Sequence, residues 1–125
     1  MAIAKIIDIA SGTANTTDGV TVTTVCTFTV PLNSNIMLSA SLVGKETTTG
    51  DIATAKVDHR AKRAGGGASM VGSAVDQVTF AAGSDAALNA SVITIDVSGN
   101  DVRLRVTGVA ATTIDWFGTL IVHVN

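Results

Sequence analysis

The sequence predicts an all-β protein, an antiparallel β-sandwich of jelly-roll-like form with about eight short strands. β-branched residues are abundant, and their stiff side chains pack well on a pleated sheet. Apolar and polar residues alternate with period two in several runs, which is the pattern of half-buried strands. Turns separate these runs at intervals of about eight to fifteen residues, as in sandwiches and barrels. A fold in which strands alternate with helices is not predicted, because it would show long helical repeats between the strands.

Composition indicates a single domain over residues 1–125. The chain has a mass of 12.6 kDa, with 46% hydrophobic and 14% charged residues, the opposite of the balance in disordered chains. The net charge of −2 argues against binding by phosphate neutralisation, and no specific nucleic-acid partner is expected. A single cysteine excludes an internal disulfide framework and a cysteine-built zinc site.

The first ten residues are rich in isoleucine and are interrupted by Lys5 and Asp8. They are too short and too charged for the apolar core of a secretory signal. No apolar run is long enough to cross a bilayer, so no membrane partner is expected. The isoleucine spacing also fits a helical face, but a short β-branched run favours extended structure. We therefore expect residues 1–10 to form an N-terminal arm or an edge strand.

Three strands are predicted in the first half of the chain. Residues 20–30 alternate between apolar residues and threonines with one break in the middle, and Pro31 ends this strand because it has no N–H to donate. A second alternating run covers residues 36–42, and a polar turn follows over residues 44–50. Residues 52–63 form a long strand with small apolar side chains on one face.

Glycine-containing turns divide the second half of the chain. Gly65–Gly67 breaks the long strand, and Ser98–Asp101 is a tight-turn signal because Gly and Asn tolerate positive φ. The strands of this half are predicted at residues 70–80, 88–97, 102–107 and 114–124.

No residues are spaced as a catalytic, metal-binding or cofactor-binding group. Asp58 and His59 are adjacent, but neighbours on a strand point to opposite faces and cannot act together. His123 is expected to face solvent or another subunit, and Cys26 to be an inert buried thiol. The glycines at 65–67 lack the Lys-Ser or Lys-Thr pair of a phosphate-binding loop. The sequence therefore predicts no cofactor and a protein that is not an enzyme.

Half of the eight basic residues lie between positions 56 and 63. Lys56, Arg60 and Lys62 share one strand face with Asp58. This face is either a solvated outer surface, where lysines discourage association between sheet edges, or a contact with an acidic partner. Aromatic residues make up only 3% of the chain, which disfavours stacking on single-stranded nucleic acid or sugars.

The last predicted strand is apolar on both faces. Trp116 lies on one face, and Phe117 and Ile121 lie on the other. A half-exposed strand would be polar on one side, so this strand is either covered on both faces within the chain or in contact with another subunit. We predict an oligomer interface that includes Trp116, Phe117 and Ile121.

Two segments carry a resemblance to a known family, AKVDHRAKRAGGGASMVGS at residues 55–73 and LRVTGVAATTIDW at residues 104–116. In order and spacing they resemble a small all-β module of tailed-bacteriophage virion proteins. In that module a strand ends in basic residues, glycines and a Val-Gly-Ser strand follow, and a Thr-Gly turn leads to a closing strand with tryptophan. Such modules occur in capsid decoration (cement) proteins and in head or tail fibres.

The resemblance implies a virion protein made in the host cytoplasm and, from the threefold symmetry common in such structures, a homotrimer. The main prediction is a capsid decoration protein on the capsid surface. It would bind the major capsid protein and stabilise the assembled head by mass action. The predicted contacts are the N-terminal isoleucines and the basic strand face, namely Ile3, Ile6, Ile7, Lys56, Arg60 and Lys62.

Two alternatives stay open. One is a tail or head-fibre module that binds a host receptor through exposed loops, with residues 47–49 and 82–85 as the candidates. The other is a small β-barrel enzyme or ligand carrier, which requires a pocket of converging polar groups.

Overall fold

A computed structural model describes residues 5–72, 75–78 and 85–125, with the backbone alone for residues 75–78. It confirms the predicted antiparallel sandwich, with two facing sheets. A short 3₁₀ turn lies at Ala86–Leu88. In the described part of the chain the strands are β1 (Ile6–Thr16), β2 (Val22–Thr29), β3 (Ser34–Glu46), β4 (Ile52–Arg63), β5 (Ser69–Met70), β6 (Val75–Val78), β7 (Val92–Ser98), β8 (Asp101–Thr107) and β9 (Ile114–Val124).

The larger sheet has the order β1-β9-β3-β4, and both β5 and β6 pair with the far side of β4. The smaller sheet has the order β2-β8-β7. The chain changes sheet from β1 to β2, from β2 to β3, from β6 to β7 and from β8 to β9, as jelly-roll-like sandwiches do. Strand β1 (Ile6–Thr16) is an edge strand that pairs with β9 along its whole length.

The core lies between the two sheets and contains one tryptophan. Trp116 on β9 is 1% exposed, and its indole Nε1 donates a hydrogen bond to the Thr16 hydroxyl at 2.8 Å. Gly44 on β3 is its register partner, and a Cβ at position 44 would collide with the ring. The indole can therefore pack against the inner surface of the sheet because Gly44 has no side chain.

The break in alternation within the second predicted strand is a β-bulge. The register of β2 against β8 shifts between Thr24 and Cys26, so Val25 and Cys26 are both buried. Gly12 of β1 passes so close to the Val25 carbonyl that a Cβ would overlap it. A bulge bends and twists its strand, and here it lies where the edges of the two sheets meet.

Two predicted boundaries are wrong. The turn expected at 44–50 begins only at Thr47, because strand β3 extends to Glu46. The Glu46 carboxylate accepts the amide N–H groups of Thr48 and Thr49 and so stabilises the turn. The strand expected at 88–97 begins at Val92, because residues 86–88 form the 3₁₀ turn that buries Leu88. Of the strand expected at 70–80, Met70 ends β5 and 75–78 form β6, while 73–74 and 79–80 lie outside the described residues.

Candidate functional site

The outer face of the larger sheet, which points away from the smaller sheet, carries a band of exposed apolar side chains. The register aligns Ile9 of β1 with Ile121 of β9, and Met37 of β3 with His123. The fractional exposures are 67% for Ile7, 65% for Ile9, 52% for Met37, 51% for Phe117 and 41% for Ile121. We call these five residues the apolar band. In a monomer, apolar patches of this kind usually mark a contact surface.

A depression of about 450 Å³ lies in the outer face beside Phe117. Its floor is formed by short side chains, because Ser41 of β3 is paired with Thr119 of β9, next to Lys56 of β4. Its lining residues are Ser41, Leu42, Val43, Thr54, Ala55, Lys56, Phe117 and Thr119. The half-exposed ring of Phe117 therefore borders a hollow whose lining includes the short side chains of Ser41 and Thr119 and the longer one of Lys56.

The outer face of the smaller sheet is polar by contrast. Arg103 of β8 makes a bidentate contact with Asp96 of β7, with both N–O distances 2.7 Å. Arg105 lies 3.5 Å from the same carboxylate and donates from Nε to the Thr24 hydroxyl at 3.2 Å. The hydrogen bonds from Arg103 hold the pKa of Asp96 below its usual value. The outer face of the smaller sheet is thus polar, whereas the outer face of the larger sheet carries exposed apolar side chains.

The predicted interface residues divide between the core and the outer face. Phe117 and Ile121 belong to the apolar band, as described above. Trp116 is buried by its own chain, so it is not available to a partner, and its placement in an interface is corrected. The reason is alternation along β9, since Trp116 faces the smaller sheet while its neighbours face outward.

The N-terminal isoleucines lie on an exposed part of edge strand β1. Ile6 and Ile7 are exposed on opposite faces of the strand, whereas Ile3 lies outside the described residues. The Asp8 carboxylate accepts the amide N–H of Ile9 at 2.8 Å. That contact occupies the backbone donor of Ile9.

The basic residues of β4 share the outer face, as their spacing predicted. Lys56, Arg60 and Lys62 are exposed, with Asp58 between them. The Arg60 Nη1 donates to the carbonyl of Val71 at 3.0 Å, which ties β4 to the segment after β5. Lys56 lines the depression. The structure brings this basic row to the side of the face away from β1.

His59 and Cys26 lie on the inner side of the sandwich, whereas His123 is exposed on the outer face of the larger sheet, next to Met37. His59 is 7% exposed, its Nδ1 accepts the Arg60 amide N–H at 2.8 Å, and burial lowers its pKa. Asp58 lies on the other face of the strand, which confirms that the pair diverges. Burial raises the pKa of the Cys26 thiol to about 11, so this thiol stays protonated and unreactive, as predicted.

The β3–β4 turn and Asp85 both lie near the start of β4, at one end of the larger sheet. Residues 47–49 form the β3–β4 turn, where the Thr47 amide donates to the Thr113 carbonyl at 3.0 Å. Asp85 lies beside the start of β4, where its carboxylate accepts the Ile52 amide N–H at 2.8 Å. Of the two candidate receptor loops, 47–49 and Asp85 are described, and residues 82–84 lie outside the described residues.

Ile9 and Met37 were missed by the sequence argument. Both lie in alternating runs, but they join Ile121 only through strand pairing across the sheet, which the sequence does not display. Within residues 5–72, 75–78 and 85–125, no three His, Cys, Asp or Glu side chains come together as metal ligands. No helix in the same residues is long and apolar enough to span a membrane.

Comparison with known proteins gives similarities of fold. No protein-family profile matches the chain, and no curated protein matches it in sequence. Over 92% of its length it is similar to the tailspike protein of Acinetobacter baumannii phage AM24, with a TM-score of 0.45, 14% identity and 26% of that chain covered. Over 98% it is similar to tailspike protein gp49 of Acinetobacter baumannii bacteriophage Fri1, with a TM-score of 0.41, 13% identity and 21% of that chain covered.

The prediction that the protein is not an enzyme is corrected by the second of these similarities. The Fri1 tailspike is described as a capsular polysaccharide depolymerase, which is an enzyme. The prediction rested on residues that are close along the chain. The fold brings together polar groups that are distant in sequence, such as Arg105 and Thr24, 81 residues apart, so local spacing was an insufficient test.

Proposed function

We propose that this chain is a structural module of a tailed-phage virion, located in a tail or fibre, where it supports attachment to the host. The observation that carries the proposal is the contrast between the apolar band on one outer face and the polar, ion-paired face on the other. Such a module adheres to a further virion surface through one face while the other faces water. The phage setting rests on the resemblance of residues 55–73 and 104–116 to tailed-phage virion modules.

Adhesion through the apolar band has a simple physical origin. Each large apolar side chain that passes from water to a fully buried contact contributes about 1.5–3 kcal/mol. The band holds five such side chains at intermediate to high exposure. Part of their hydrophobic free energy is unrealised in the isolated chain and becomes available when a partner covers the face.

Attachment places the receptor contact away from the adhesive face. Thr47–Thr49 and Asp85 lie near the start of β4, at one end of the larger sheet, so they stay accessible when the outer face is covered. Their hydroxyl and carboxylate groups can hydrogen-bond to a polar receptor. In this arrangement the outer face of the larger sheet makes the virion contact, and the loops near the start of β4 make the receptor contact.

The experiment is immunogold electron microscopy of virions produced from the genome that encodes this chain, with antibodies raised against the purified protein. Label on the tail or on fibres supports the proposal. Label spread over the head shell contradicts it and favours decoration of the major capsid protein. Absence of label from intact virions, with the chain detected among dissociated virion proteins as a control, contradicts an exposed role of either kind.

Receptor binding is tested with the fluorescently labelled protein on host cells and on a phage-resistant derivative of the same strain. The expected result is binding to the sensitive strain alone, and its loss when Thr47, Thr48 and Thr49 are all replaced by alanine. The matched control is Thr27→Ala, an exposed threonine on strand β2 of the smaller sheet. Equal binding of the two variants overturns the loop assignment.

A further inference from the structure

We infer that the partner of the apolar band is a further copy of this chain, which packs against the outer face of the larger sheet with Phe117 as the central contact. This inference rests on the adhesive face of the proposed function and names its occupant. Four features of the described residues support it: the shape of the face, its size, its charge distribution and the state of the neighbouring sheet edge.

The face is self-complementary in shape. It carries a projecting aromatic ring, Phe117 at 51% exposure, and directly beside it a hollow of about 450 Å³ floored by Ser41 and Thr119. Two copies related by symmetry can each offer the ring to the other's hollow. An aromatic side chain buried in a pocket at the centre of an interface is the usual form of an energetic hot spot.

The face has the size that a stable interface needs. Strands β1 and β9 are 11 residues long, and β3 and β4 extend the same rows. Four strands spaced about 4.8 Å apart, rising about 3.4 Å per residue, span about 700 Å². A standard protein–protein interface buries about 800 Å² on each partner.

Charge favours a copy of the chain over a polyanion. The outer side chains of β1 are uncharged, and those of β9 include Asp115 but no lysine or arginine. The cations of the face lie on β3 and β4, where Asp58 stands between Lys56 and Arg60. Lys56 lies beside the depression at Phe117, and Asp58 and Asp115 lie on the same face, so the face carries charges of both signs and suits a copy of itself better than a polyanion.

The adjacent sheet edge is partly closed to strand addition. The Asp8 carboxylate occupies the Ile9 amide at 2.8 Å, and an inward-pointing charge on an edge strand is a known device against edge pairing. Association through side chains of the outer face remains open. A twofold assembly would stack two such faces, and a threefold assembly would arrange three around an axis, with Phe117 in contact in both.

The test begins with multi-angle light scattering of the wild type, Phe117→Ser and Val92→Ser across micromolar concentrations. Val92 is the matched control because it is 42% exposed on the outer face of the smaller sheet. The wild type and Val92→Ser should have two or three times the 12.6 kDa chain mass. Phe117→Ser should raise the dissociation constant about thirtyfold, as expected for loss of a hot spot. A monomeric wild type, or an oligomer indifferent to Phe117→Ser, overturns the inference.

A second measurement holds even if Phe117→Ser folds poorly. Cysteines introduced by Ser41→Cys in the hollow and Thr27→Cys on the opposite face are labelled with a maleimide at low and high protein concentration. Native Cys26 is buried and stays silent. Concentration-dependent protection of position 41 alone supports the inference. Equal labelling of both positions overturns it, as does protection of position 41 only when another virion protein is added. Tail labelling of virions with a monomeric chain would refute this inference and leave the proposed function standing.

Discussion

The contact between Gly44 and Trp116 shows how one absent side chain determines the packing of the core. The indole occupies the space that a Cβ at position 44 would fill, and its N–H is held by Thr16. Both neighbours come from strands on either side of β9. Trp116 on β9 thus contacts both neighbouring strands, β1 and β3, at one point in the larger sheet.

Gly44→Val is expected to reduce the free energy of unfolding by about 1–3 kcal/mol, the usual cost of overpacking a filled core. Urea unfolding followed by the fluorescence of Trp116, the single tryptophan, measures it. Gly65→Ala is the control, because nothing lies within 4 Å of a Cβ built there. Equal stability of the two variants would show that the ring moves aside without cost.

His59 makes stability depend on pH. Burial lowers its pKa in the folded chain below the ordinary value of 6.5, so between the two values the unfolded chain binds more protons. Stability is therefore complete above about pH 6.5 and is lost as the pH falls through the folded pKa. Urea unfolding at pH 8 and pH 5.5 tests this, and His59→Asn should flatten the difference. An unchanged slope in the variant would assign the dependence to other groups.

Individual strands were largely predictable, because period-two alternation is a local signal. The predicted strands at 52–63 and 114–124 correspond to β4 and β9 with their observed bounds. Strand neighbours were not predictable, since β1 pairs with a strand about 100 residues away. The apolar band exists only through that pairing, so Phe117 and Ile121 were visible in the sequence, while Ile9 and Met37 were not.

Strand β1 should depend on Asp8 for its resistance to aggregation. Asp8→Ala uncovers the Ile9 amide on an exposed, isoleucine-rich edge, which is a template for strand addition. We expect light scattering of concentrated samples to rise over hours with Asp8→Ala. Asp8→Asn retains an acceptor oxygen and should aggregate less. Identical behaviour of both variants would mean that charge, and not the covered amide, protects the edge.

The whole molecule has two outer surfaces of opposite character, and the apolar one couples folding to association. If only folded chains associate, association stabilises the folded state by mass action. The thermal midpoint of the wild type should then rise with protein concentration, as measured by differential scanning calorimetry. The midpoint of Phe117→Ser should depend less on concentration, because its association is weaker. A concentration-independent midpoint in the wild type would separate folding from association.

The pairing of β1 with β9 also has a kinetic consequence. Ile6 lies opposite Val124, and Asn15 donates from Nδ2 to Asp115 at 2.6 Å across 100 residues of chain. Closing so long a loop is entropically costly and delays folding. A circular permutant that joins the two ends by a short linker and opens the chain at Gly65–Gly66 turns this slowest closure into a hairpin. Its refolding in stopped-flow fluorescence should be several-fold faster, with the same sandwich as the product.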